Sequence, residues 1–384
     1  MTFILGKLKW FVKWRQDFKR IMLKTIDWYI IKKILKTFVF SLVGMLAIIL
    51  VFDLSEKIVL FIDSNMTLWE LITEYFIGFI VHIGNMFFPL FVLITVVLVT
   101  LKLNQRSEIT AILSSGISFN RLLRPFFVGI GIIVAFSFLI NFFFLPKANK
   151  SRMAFENKHT PYASVLAGVH FEVVPGTIVS YKNYNFREMR SVSEMWVDNF
   201  KKDENGKFYL ASSLYANYAY GDSISQNFSL KNVTERYILP TGDSVLKYST
   251  LDTTLPFGLK DLGQRNEVVS TMYVNELIAY RNKEKQKGSA IVPFIEIEIF
   301  ARSANPLSLF ILGLLGICMS ISPARSKVGV TILLGILSVA LYFVFNRFST
   351  VYATNAGLNT FLAVWIPNFI LLAFGIFLYI RTPK

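Results

Sequence analysis

Apolar residues gather into six runs, each long enough to cross a bilayer core about 30 Å thick. They fall near residues 34–52, 71–101, 122–145, 306–322, 329–346 and 359–380. The second exceeds the required length and predicts a helix that tilts or extends beyond the lipid. Between the third and fourth runs the pattern changes. Over 146–288 the runs are short and partly alternating: TIVSYKNY, EMWVDNF, KFYLASSLYANYAY, ERYILP and DSVLKYST. Turn clusters KKDENGK, YGDS and LPTGDS separate them. This spacing predicts an all-β sandwich or jellyroll-like domain inserted between two groups of three spans. The stretch Met272 to Lys287, MYVNELIAYRNKEKQK, then predicts a helix capped by Ser270 or Thr271 and stopped by Gly288, leading back to the membrane.

A polar island, NQRSEITAILSSGIS (104–118), interrupts the apolar pattern between the second and third runs. Following Arg106, Ser107 can accept hydrogen bonds from the first turn of a helix, and Glu108 suits its positive end. Gly116 is a natural stop. Ile109, Ile112 and Leu113 form one apolar face at i, i+3, i+4. A helix this short does not persist alone, so the spacing predicts docking on something, with Glu108 left for a basic partner.

Composition and charge add orientation. The chain has 384 residues, 54% of them hydrophobic, with 37 Phe; its mean hydropathy is +0.50. That is the profile of a multispanning membrane protein. With both termini inside, the inner segments are 1–36, 102–124, 323–328 and 381–384. The whole net charge of +15 falls on them, while basic and acidic residues balance elsewhere. The positive-inside rule then places both termini in the cytoplasm and the central domain outside it. Flanks of membrane spans account for the basic excess without a nucleic-acid ligand. The basic N-terminus, 1–33, carries Trp10, Phe11, Trp14, Phe18, Ile21 and Met22 at spacings that fit a helix on the inner membrane surface, or a charged lead-in to the first span. It has neither the short h-region nor the small-residue cleavage site of a signal peptide. The single cysteine, Cys318, excludes a disulfide framework and a cysteine metal site.

Catalytic and cofactor signatures are missing from the sequence. Gly6-Lys7 and Gly206-Lys207 are followed by Leu and Phe, so neither is a nucleotide-binding loop. The three histidines are scattered, and no H-E-x-x-H occurs. The chain is expected to bind no cofactor or metal and to be no enzyme. His82 and Asn85 lie one turn apart in the second run, where they hold helices together or serve transport. No span interior holds the clear acid of a proton-driven carrier, and no inverted repeat is visible.

The stretch RSEITAILSSGISFNRLLRP resembles the coupling region of the LptF/LptG permease family, the membrane subunits of the lipopolysaccharide exporter. IDWYIIKKILKTFVFSLVGMLAIILVFDLSEK is similar to that family's first span. NPLSLFILGLLGICMSISPARSKVGV resembles the fourth span and its basic loop, and RFSTVYATNAGLNTFLAVWIPNFILLAFGIFLYIR the family's end. The resemblance implies a multi-pass protein of the bacterial inner membrane. It implies a second LptF/LptG permease paired around a cavity, an LptB-type ATPase that uses ATP and Mg in trans, and an LptC-type periplasmic bridge. Arg106, Ser107, Glu108, Ile109, Ile112, Leu113 and Gly116 would then form the ATPase-coupling helix, with Glu108 pairing to an Arg of the ATPase. Lipopolysaccharide would enter between the first span of one permease and the fifth of the other, lined here by Phe40, Leu46, Leu333 and Phe343. Lys57 stands where some family members carry a lysine pair that meets the lipid's phosphates, although Glu56-Lys57 replaces that pair here, and Arg302 matches a basic position at the start of the family's fourth span; both are candidate lipid anchors. A competing expectation is a membrane subunit that relays ATPase motion to an external regulatory or scaffolding partner.

Overall fold

The computed structural model describes residues 24–381 apart from 64–65, 160–164, 175, 186–190, 204–205, 222–225, 240–241, 259–265, 287–288, 290 and 322–327. The N-terminal surface helix expected before residue 24, the Gly288 stop and the basic loop at 323–327 lie outside the described residues.

Each apolar run folds as a helix, and the first five helices are longer than the runs that predict them. They are α1 (Thr25–Glu56), α3 (Leu68–Gln105) and α5 (Phe119–Glu156), α7 (Val292–Ser320), α8 (Val328–Ala356) and α9 (Thr360–Arg381). These six helices span the membrane, and a β domain is inserted between the first three and the last three. Shorter helices are α2 (Ile58–Asp63), α4 (Glu108–Ser114) and α6 (Val274–Gln286). The fourth span was expected from residue 306, but the helix begins at Val292 and runs through Pro306. Its polar extension holds because its charges find partners within the chain: Thr360 donates to Glu296 Oε2 at 2.7 Å, and Arg302 donates to Glu298 Oε1 at 3.1 Å.

α3 is the central column. In lipid, helices associate through close packing and hydrogen bonds, because the solvent is as apolar as the side chains. Accordingly α3 meets α1, α5, α7 and α8, and its most apolar window is 67% buried, against 11% for α1 and 17% for α8. One apolar cluster joins Ile30 and Ile34 of α1, Val92 and Val96 of α3, Phe126 and Ile130 of α5, and Ile317 of α7. A second joins Leu93 and Val97 to Leu312, Tyr342 and Leu371. Two π-helical turns interrupt the α geometry, Ile72–Phe76 in α3 and Ile140–Phe144 in α5. Each carries a buried polar side chain that ties helices together, Tyr75 and Asn141.

The β domain is one antiparallel sheet in the order β1-β2-β3-β4-β5-β6. Its strands are Val165–Val174, Thr177–Asn185, Ser191–Lys202, Phe208–Gly221, Asn227–Leu239 and Gly242–Thr254. Each strand pairs with the next in sequence, so its topology is a meander. The core lies on one face, built from Val179, Tyr181, Val197, Leu230, Val233 and neighbours, closed by Phe257. Pairing passes over Lys182 and Glu194 between β2 and β3. It passes over Glu194 and Asn217 in the next pair, Asn217 and Asn232 in the next, and Asn232 and Ser249 in the last. One extra residue per strand at the same level keeps the register but shifts the alternation. Tyr181, Met195, Ala216 and Val233 face the core on one side of this row, and Tyr184, Val192, Ala219 and Leu230 on the other. Glu194 (φ 48°) and Asn232 (φ 52°) adopt the left-handed backbone that bulged strands use.

Leaving β6, the chain forms a 3-10 helix at Asn266–Thr271 before α6. Ser270 and Thr271 therefore do not cap the helix as expected. The Thr271 hydroxyl donates to the Val268 carbonyl. The Ser270 carbonyl accepts from Asn149 Nδ2 of α5 at 3.2 Å and from Arg302 Nη2 of α7 at 3.5 Å. The segment leaving the β domain is thus fastened to two spans.

Candidate functional site

α4 sits between α3 and α5 with short connections on both sides. Gly116, at φ +84°, ends it as its sequence predicts, its N–H donating to the Leu113 carbonyl at 3.1 Å. Ser107 precedes the helix in a left-handed conformation (φ 58°) and makes no side-chain capping bond, unlike the expected N-cap. Ile109 is buried, and Ile112 and Leu113, partly buried, pack against the chain's own bundle, so within this chain the apolar face of α4 docks on the membrane helices. Glu108 is engaged as well. Its Oε1 accepts from the Tyr29 hydroxyl at 3.4 Å and lies 3.8 Å from Lys33 Nζ and 3.9 Å from Arg106 Nη1. Thr110, Ala111 and Ser114 of α4 are exposed, as is Arg106 at the end of α3, and together they form an outward rim.

Beneath this helix lies a pair that sequence reasoning missed. Asp27 of α1, 2% exposed, receives two hydrogen bonds from Arg121 of α5, one of them 2.8 Å long. The backbone N–H of Lys24 donates to the same carboxylate at 2.7 Å. The pair locks α1 to α5 beside the island. Asp27 looked like one acid in a basic leader, and nothing in the linear sequence marks its partner 94 residues away.

At the opposite end of α1, Lys57 is enclosed by partners. Its Nζ lies 2.9 Å from Asp53 Oδ1 and 3.9 Å from Glu156 Oε1, donates to the Tyr75 hydroxyl, and sits 4.9 Å from that ring's centre. Tyr75, fully buried, donates to Asp53 Oδ2 at 2.9 Å, and Arg152 donates to Glu156 at 2.8 Å. The two cations and two carboxylates cancel. Lys57, a candidate lipid anchor from the sequence, is therefore a member of a neutral cluster joining α1, α3 and α5. Arg302, the other candidate, is 1% exposed and held by Glu298 and the Ser270 carbonyl.

Of the expected cavity residues, Phe40 and Leu333 lie on open faces, 82% and 65% exposed. Leu46 instead packs over Gly84 of α3. Phe343 lines a cleft of about 700 Å³ with Arg347 and Thr350 of α8, Phe294 and Glu298 of α7, and Ser270. The cleft lies at the end of the bundle that receives the chain from the β domain. Also near this end, Phe52 of α1 is 73% exposed and Phe348 of α8 also 73%. Both were missed because one exposed aromatic among many apolar residues carries no signal in sequence.

Asn85 and Asn141 exchange reciprocal amide hydrogen bonds of 3.1 and 2.8 Å, so Asn85 joins α3 to α5. No group of three or more histidines, cysteines or acids able to hold a metal occurs among the described residues. Inside the β domain, burial pushes the phenols of Tyr181 and Tyr184 above their ordinary value. On its surface, the Glu194 carboxylate 2.7 Å from Lys182 Nζ raises that amine.

A family model described as lipopolysaccharide export system permease LptF/LptG matches residues 28–381. No curated protein matches the chain.

Proposed function

This chain belongs to the LptF/LptG family of lipopolysaccharide export permeases, and from that premise we propose that it is driven by an ATPase bound in trans and hands its cargo to a periplasmic bridge. As a member it is a non-enzymatic, multi-pass inner-membrane component of an ABC transporter with a role in lipopolysaccharide export. The β domain faces the periplasm and both termini face the cytoplasm, a reading supported by the basic excess at 1–36 and 102–124.

The observation that carries the ATPase reading is the placement of α4. It is a short helix fixed to the bundle by Ile109, directly connected to α3 and α5, with a polar rim facing away from the core. A push on that rim reaches α3, the column against which four other spans pack. The rim of Arg106, Thr110, Ala111 and Ser114 therefore receives an LptB-type ATPase, which binds and hydrolyses ATP with Mg. Glu108 holds α4 to Tyr29 and Lys33. The under-packed faces of α1 and α8 are left for a second LptF/LptG permease and for the cargo. In the outer half of the bundle, Phe52, Phe348 and the cleft around Phe343 and Arg347 form the cargo-facing wall, and an LptC-type bridge receives the lipid beyond the β domain.

Co-expression with an LptB-type ATPase tests the coupling surface. The wild-type chain is expected to co-purify with it, and Ala111→Arg to lose it; an intact complex with Ala111→Arg removes the rim from the interface. A photocrosslinker at Phe52 or Phe348 is expected to capture lipopolysaccharide. Capture of protein alone would favour the scaffolding alternative.

A further inference from the structure

At the α4 end of the bundle a groove of about 730 Å³ runs between α1 and α3. It is lined by the cations Lys33, Lys36 and Lys102 and by apolar side chains including Phe40, Leu98 and Leu101. Each wall sets cationic beside apolar side chains. Lys33, Lys36 and Phe40 lie on one face of α1 at i, i+3, i+7, and Leu98, Leu101 and Lys102 on one face of α3 at i, i+3, i+4. Cations beside apolar side chains are complementary to a phosphodiester headgroup carrying acyl chains. Glu108 is the acid that approaches these lysines, 3.8 Å from Lys33. Lys36 and Lys102 are exposed and make no ion pair among the described residues.

We propose that this groove binds an anionic phospholipid of the cytoplasmic leaflet, Lys36 and Lys102 holding the phosphate and Phe40 and Leu98 lying along an acyl chain. Lys33 is shared between the headgroup and Glu108, so occupancy of the groove bears on how firmly α4 is held. The chain's own residues 1–23 are a poor occupant. They carry Lys7, Lys9, Lys13, Arg15, Lys19 and Arg20 against Asp17, and like charge repels them from the groove. An acidic protein segment would satisfy the lysines but leave the apolar side chains of the lining uncovered. The exported lipid is handled at the other end of the bundle. The proposal rests on the reading that this end faces the cytoplasm.

Native mass spectrometry of the full chain, offered phosphatidylglycerol or phosphatidylcholine in detergent, tests it. Wild type is expected to retain phosphatidylglycerol preferentially. Lys36→Gln/Lys102→Gln is expected to weaken that preference roughly thirtyfold, while Lys201→Gln/Lys247→Gln in the β domain leaves it unchanged. Equal retention of both lipids by wild type, or an undiminished preference in the Lys36/Lys102 variant, overturns the proposal. A photoactivatable phosphatidylglycerol should crosslink to the segments holding Phe40 and Leu98; crosslinks confined elsewhere overturn it too. Orientation is read separately by an impermeant maleimide on Lys36→Cys in intact cells, because the one native cysteine, Cys318, is buried. Labelling from outside sinks the topology; a shielded cysteine combined with no lipid preference sinks the lipid site alone.

Discussion

Asp27 and Arg121 show how much a single pair can carry where one partner is almost fully enclosed. Removing one member of a buried pair leaves the other charged and unpaired, at a cost of about 3–5 kcal/mol. Asp27→Ala is therefore expected to lower the melting temperature of the detergent-solubilised protein markedly. Asp27→Leu/Arg121→Leu should recover most of the loss, since neither charge is then stranded. If the single and double variants melt alike, the pair is not a fastening. Tyr75→Phe is a milder test. It removes a hydroxyl that donates to Asp53 and accepts from Lys57, leaving those two charges paired with each other. A loss of about 1–3 kcal/mol in the same melting assay is expected. At this scale sequence reasoning singled out Lys57 and Arg302 by their charge; each pairs with an acid one turn before it, Asp53 and Glu298, and is closed over by groups from elsewhere in the chain, Tyr75 and Glu156 for Lys57 and the Ser270 carbonyl for Arg302. An ion's partners decide whether it can hold a ligand; the i,i+4 acid is readable along the chain, and the groups that close over it from elsewhere are not.

Helix contacts depend on where a side chain would collide. A Cβ on Gly78 of α3 would come 2.6 Å from the backbone oxygen of Ala148 in α5, whereas one on Gly313 of α7 would meet the tip of Ile130 at 2.5 Å. Backbone cannot step aside, and a side-chain tip can. Gly78→Ala is therefore expected to destabilise the bundle by about 1–3 kcal/mol and Gly313→Ala by less, as read by thermal melting. The reverse order would contradict this packing of α3 on α5. For α4 the measurement is local. Ile109→Ala removes the side chain that seats the helix and is expected to raise protease cleavage between residues 104 and 118, with the six spans intact; unchanged protection would mean that Ile109 does not hold it. The existence of α4 and its Gly116 stop were legible in the sequence, because capping and periodicity are local. The partner of its apolar face was not, because the nearest apolar surface is the chain's own bundle.

The whole molecule is a six-helix bundle with one sheet inserted at a single end, so its sidedness can be read with two cysteines. Lys247→Cys on β6 is expected to react with an impermeant maleimide in intact cells with an opened outer membrane. Ser115→Cys beside α4 should react only after the inner membrane is permeabilised. The opposite pattern would invert the molecule. Six runs of sufficient length, the alternating central segment and a one-sided excess of charge determined the span number, the inserted β domain and the expected orientation, because bilayer thickness, strand pleat and membrane-flank charge act on each segment independently of its neighbours. Tertiary structure alone decided that α3 is the central column, that Tyr75 and Glu156 close over Lys57, that the strands form a meander with one shared row of bulges, and that α1 and α8 keep open faces. Those outcomes depend on which surfaces meet across dozens to hundreds of residues, and contact between distant segments leaves no period in the sequence.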